Sequence, residues 1–151
     1  MSAFPALTAF FAALVLALAT PAVAGDAKQE RAAMYAERLE LARAHAGEPV
    51  DRVRFLLPPY RYEVVDDHAI LVWQNTRKAW LVYLKSDAGC QRLVNSLAIQ
   101  IDTMNESDTM NTSNAYIVGD HNMRCKIIGL RQVDVVAMRA AKESRRGADA
   151  G

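Results

Sequence analysis

The residues able to do chemistry in this chain are two cysteines, two acid–histidine turns and a cluster of aromatics. Cys90 lies in DAGCQRLVNSL and Cys125 in HNMRCKIIGL, and the chain has no others. Each could be a nucleophile, a metal ligand or half of a disulfide. A nucleophilic thiol needs a nearby base, a lowered pKa and access to solvent. Cys90 sits near the start of a helical pattern, where a helix dipole lowers a thiol pKa. There is no C-x-x-C motif, however, and no His follows either cysteine closely. Asp66, Asp67 and His68 stand together in one turn and Asp120 and His121 in another, with His121 shortly before Cys125. Imidazole and carboxylate suit zinc and similar ions. Neither cluster has the spacing of a known metal motif, and both residue types are ordinary in turns. If the two turns meet at one end of a sheet, their ligands would converge.

Other reactive groups give less. Glu63 could act with Asp66 or Asp67 as a carboxylate pair, but on a strand it is expected to face Arg61 or a neighbouring strand's cation. The chain has no G-x-S-x-G, no H-E-x-x-H and no glycine-rich phosphate loop,. Neither enzymatic activity nor a cofactor is therefore expected. Tyr60, Tyr62, Trp73 and Trp80, with Tyr83, fall on adjacent strand patterns. They form either core or the wall of a pocket or interface.

The fate of the thiols depends on compartment. Residues 1–24 carry no charge and end in AVA, with small residues Ala22 and Ala24 placed as signal peptidase prefers. This reads as a signal peptide cut after Ala24, although no Lys or Arg precedes its apolar run. The run is shorter than the roughly 20 residues of a membrane span, so no stable span is expected after cleavage. No cysteine stands at the cleavage point to carry lipid, so an unlipidated periplasmic protein is expected. In an oxidising compartment two cysteines usually pair, which makes a structural disulfide the leading expectation. The 18 basic and 17 acidic residues leave a net charge of +1. Nothing in that balance favours nucleic acid. The partner is expected to be an envelope protein or a small ligand.

These residues need positioning elements. Residues 25–47 read as one helix, from Asp26 as cap to Gly47 as stop, with Tyr35, Leu39 and Ala42 on one stripe beside Met34 and Leu41. After Gly47 the period becomes two. VDRVRFLL, with Val53, Phe55 and Leu57 on one face, and YRYEVV are strands separated by a Pro-Pro break. AILVWQ and AWLVYL flank NTRK as a hairpin, and both are apolar on both faces. They should be central strands covered on each side. SDAGCQRLVNSL predicts a short helix, with Cys90, Leu93, Val94 and Leu97 at helical spacing, and LAIQID a strand with Leu97, Ile99 and Ile101 inward. DTMNESDTMNTSN, with DTMN twice, predicts a mobile loop. AYIVGD and MRCKIIGL are strands, with Met123, Cys125 and Ile127 on one face. DVVAMRAAKE is a short helix capped by Asp134, and residues 144–151 read as a disordered tail.

The segments WLVYLKSDAGCQRL and RCKIIGLRQVD carry a resemblance. The chain resembles a family of small exported bacterial proteins, many of them lipoproteins, whose domain has no known function. Cys90 and Cys125 stand at that family's two cysteine positions. The resemblance covers about Val50 to Asp134 and implies export and the fold, but no activity. The expected architecture is α+β: residues 48–143 form a small single domain with an antiparallel sheet of five to six strands, open or barrel-like. An N-terminal helix and two short helices pack on it.

Overall fold

A computed structural model describes residues 23–55, 59, 61–87, 90, 93–104 and 108–149. Residues 1–22, which hold most of the expected signal peptide, and Tyr60 lie outside that range, as do residues 150–151.

The chain begins with helix α1 (Val23–Ala44) and strands β1 (Ala46–Val50) and β2 (Arg52–Arg54). The meander β3 (Arg61–Asp66), β4 (Ala69–Asn75) and β5 (Lys78–Leu84) follows. Next come β6 (Ile99–Asp102), β7 (Thr109–Asn111), β8 (Tyr116–Gly119) and β9 (Arg124–Asp134), and the chain closes with helix α2 (Val135–Asp149). The main sheet is antiparallel, with order β3-β4-β5-β9-β8-β6. Its longest strand organises it. One edge of β9 pairs with β5 from Ile127 to Asp134. The other edge is shared, with β8 taking Arg124 to Lys126 and β1 taking Leu130 to Val133. The sheet curls, so that Tyr62 and Val64 of β3 approach Ile99 of β6 across a shared cleft. These terminal strands thus face each other in a half-barrel.

The double-sided hydrophobicity of β4 and β5 does what it predicts. Because side chains alternate, Ile70, Val72, Trp80 and Val82 point into the curl, while Ala69, Leu71, Trp73 and Leu81 point outward,. The inner core is closed by Phe55, Leu93, Met110, Ile117 and the two cysteines. The outer core is covered by Leu39, Leu41 and Ala42 of α1 and by Val135 and Met138 of α2. Burial of each Leu, Val or Met side chain among these contributes about 1.5–3 kcal/mol, and of Ala42 less. The β4–β5 turn is tighter than the four-residue connection expected. Asn75 pairs with Lys78, leaving Thr76 and Arg77 as the connection.

Four expectations are corrected. The first helix runs Val23–Ala44 rather than 25–47. It stops before Gly47 because the chain turns at His45 to join the sheet, with Asp134 donating its N–H to the His45 carbonyl at 2.9 Å. Among the described residues, the helix expected at Ser86–Leu97 is replaced by i to i+3 turns. Cys90, Leu93 and Ser96 each donate to the carbonyl three residues back, and among the described residues Leu93–Asn95 forms a 3-10 turn,. Burial anchors Cys90 and Leu93, while Leu97 is 97% exposed. The second DTMN is not a mobile loop. Thr109–Asn111 is strand β7, paired with β2 in a separate small sheet, because Met110 inserts fully into the inner core. Finally, α2 is longer than expected and continues through residues 144–149, placed in the disordered tail. Its cap is as expected: Asp134 Oδ1 accepts the Ala137 N–H at 3.0 Å.

Candidate functional site

Cys90 and Cys125 form a disulfide with a Cα–Cα distance of 5.4 Å, and no described cysteine is free. Cys125 points inward with Ile127 on β9, as the strand periodicity requires. Cys90 is presented by the first of the i to i+3 turns. Both are fully buried, so the bond is a staple through the inner core.

The acid–histidine turns do local structural work. Asp66 Oδ1 accepts the Asp67 N–H at 2.7 Å, and Asp120 Oδ2 accepts the Leu97 N–H at 2.6 Å. His68 Nε2 lies 3.3 Å from the Ser86 hydroxyl. His121 takes a left-handed backbone (φ 55°, ψ 37°) in an exposed 3-10 turn, Asp120–Asn122. The two turns do not pool their ligands: no group of three His, Cys, Asp or Glu side chains among the described residues could hold a metal. Glu63 does not pair with the turn aspartates. It sits 3.5 Å from Arg61, as strand spacing suggests, and 3.5 Å from Arg38 of α1.

The aromatic residues do not form one cluster. Trp73 and Trp80 belong to opposite faces of the sheet, since residues seven apart on a hairpin this tight alternate in side. Trp80 lines an open groove of about 730 Å³ with His45, Arg77 and Asp134. Tyr62 lines the cleft between β3 and β6, and burial pushes its phenol pKa up.

The best-defined site surrounds Trp73. A cavity of about 230 Å³ opens between α1, α2 and the outer face of β3 and β4. Trp73, 4% exposed, forms its floor with Leu41, Leu71 and Met138. Arg38, Arg61, Arg139 and Lys142 rim it around a single carboxylate, Glu63. The guanidinium of Arg61 lies 4.6 Å from the Trp73 ring centroid and that of Arg139 lies 5.9 Å away,. Arg139 also donates to the Thr76 carbonyl at 2.8 Å, tying α2 to the hairpin tip. Trp73 Nε1 is buried without a hydrogen-bond partner among the described residues.

Only Trp73 of this constellation is singled out by reading the sequence as a possible pocket residue. The cations are missed because they come from three elements distant along the chain. A signal does exist: Arg61 stands directly opposite Trp73 in the β3–β4 register, and Arg38 and Arg139 flank the apolar stripes of their helices.

No helix among the described residues is long and apolar enough to cross a membrane. No curated protein and no solved structure matches the chain. A family model does, over residues 6–149, so nearly the whole sequence takes part in the likeness suggested by its paired-cysteine segments. The chain belongs to the Family of unknown function (DUF6491).

Proposed function

We propose that this is an exported protein, cleaved after Ala24, that works in the periplasm as a non-enzymatic binding module. Its ligand is held in the cavity over Trp73. The observation that carries the reading is the composition of that cavity: a buried indole and apolar side chains beneath a rim of four cations. Small-ligand sites are built in this way, from an apolar floor with a few polar groups that fix orientation. The disulfide suits an oxidising compartment,. Residues 25–34 of α1, just after the expected cleavage point, are all exposed.

Intact mass spectrometry of the protein purified from the cell envelope tests this reading. The denatured mass should begin at Gly25 and be short by the hydrogens lost in one disulfide. Under native conditions an additional mass should be present that denaturation releases. It should be absent from the Arg61→Gln/Arg139→Gln variant. Retention of Met1 or a fully reduced mass would remove the export argument. A native mass identical to the denatured one would remove the binding-module reading.

A further inference from the structure

We infer that the cavity over Trp73 is a receptor site for a small multivalent oxyanion, a molecule bearing two or more carboxylate or phosphate groups. This rests on the binding-module reading above and names its ligand class.

Charge is the first argument. Arg38, Arg61, Arg139 and Lys142 converge on one cavity that contains only the Glu63 carboxylate, in a chain whose total charge is close to neutral. A concave, low-dielectric wall lined by one sign of charge focuses the field and gathers counter-ions. The second argument is unused donor capacity. Each guanidinium carries five N–H donors in a planar fork. Among the described residues the acceptors of these arginines are the two Glu63 oxygens and the Thr76 carbonyl. Both Glu63 contacts are 3.5 Å, longer than the roughly 2.7–2.9 Å of a tight charge-assisted bond,. Lys142 has no ion-pair partner among the described residues. Arg61 lies over the indole, an arrangement that holds a guanidinium on an aromatic face and leaves its edge free to grip a carboxylate or phosphate bidentately,.

The third argument is the floor. Trp73, Leu41, Leu71 and Met138 form a buried apolar base, so an anion held above them is shielded from water and its attraction to the cationic rim is strengthened,. Size and geometry complete the class. A volume of about 230 Å³ holds about eight water-sized groups, at about 30 Å³ each. One carboxylate, Glu63, already lies between Arg38 of α1 and Arg61 of β3, while Arg139 and Lys142 of α2 have no carboxylate partner among the described residues. A molecule with acidic groups at both ends can engage both sets.

Calorimetry on the mature, oxidised protein at low ionic strength tests the proposal, with Trp fluorescence recorded in parallel. The probes are citrate, succinate and inorganic phosphate, with acetate as the monovalent control. Saturable binding of at least one multivalent probe is expected, much tighter than acetate and weakened by added sodium chloride. Binding by the carboxylates alone, or by phosphate alone, identifies the source of the oxyanion. Arg61→Gln/Arg139→Gln should weaken binding by about tenfold or more per guanidinium removed. Its thermal melt should show that it remains folded. Lys28→Gln/Arg31→Gln removes two cations on the exposed start of α1 and should bind like the parent. Equal losses in both variants would mean non-specific charge attraction and would overturn the proposal. Acetate binding as tightly as citrate would overturn it as well. If no probe binds while protein from the envelope carries a releasable mass, the ligand class is refuted and the binding module stands. If that mass is also missing, both fall.

Discussion

Reducing the Cys90–Cys125 bond should cost this domain about 4 kcal/mol, and the figure follows from the position of the bond. The two cysteines are 35 residues apart. In the chain-entropy model, closing a loop of that length lowers the entropy of the denatured chain by about 13 cal/mol/K, or about 4 kcal/mol at 25 °C. The native side of the balance changes little. Both sulfurs are fully buried in the inner core, where free thiols behave as small hydrophobes,. The comparison is therefore between oxidised and reduced wild-type protein, not with a substitution that opens a cavity. Urea unfolding should show the reduced form less stable by about 3–5 kcal/mol. Its m-value should rise because the unconstrained denatured chain exposes more surface. In a thermal melt the loss corresponds to about 10–20 °C for a domain of this size. Burial also predicts the kinetics: reductant should act slowly on the native protein and quickly once denaturant opens it. A stability difference below about 1 kcal/mol would refute the argument, because the loop constraint would then be absent from the denatured state. Rapid reduction of the native protein would contradict the burial of both sulfurs.

Three further outcomes test the fold. Leu93→Ala should destabilise by about 2–5 kcal/mol because its side chain is fully buried, while Leu97→Ala should fall within about 0.5 kcal/mol of the parent,; equal effects in urea unfolding would restore the helix expected there. Asp134→Ala should cost about 1 kcal/mol and reduce helical circular dichroism, through loss of the bond to the Ala137 N–H,. The hydrogen bond from Arg54 Nε to Asp108 (2.7 Å), aided by the Thr109 hydroxyl, holds the Asp108 carboxyl below the usual carboxylate range. A lowered folded pKa gives stability that is present above the unfolded value, about 3.9, and is lost as pH falls through the folded one. Asp108→Asn should therefore flatten the acid limb of the stability–pH curve, and an unchanged limb would dismiss the clip between β2 and β7.

Which elements were legible follows from whether their signal is local. β4 and β5 were readable because apolar residues at every position leave only a strand covered on both faces. Asp134 announces α2 because a cap is a bond between near neighbours. Glu63 was assignable to Arg61 because alternate residues share a strand face. The middle helix was misread for a corresponding reason. Helical spacing of Cys90, Leu93, Val94 and Leu97 is a valid pattern, but a staple at Cys90 and a buried Leu93 compete with it from outside the segment. The second DTMN was misread because a single Met110 outweighs its polar neighbours once the inner core offers it a place.

By itself the sequence determined the α+β class, the two-sided central hairpin, the cysteine pair and its membership of a family through the segments around them. Those features rest on periodicity, caps and residue type, which act over a few positions. Only the tertiary structure decided that Trp73 and Trp80 lie on opposite faces of a curled sheet. It also kept the acid–histidine turns from forming a metal site and brought cations from α1, β3 and α2 around one buried indole. Curvature, register and helix docking set distances between residues far apart in the chain, and no local pattern encodes those distances.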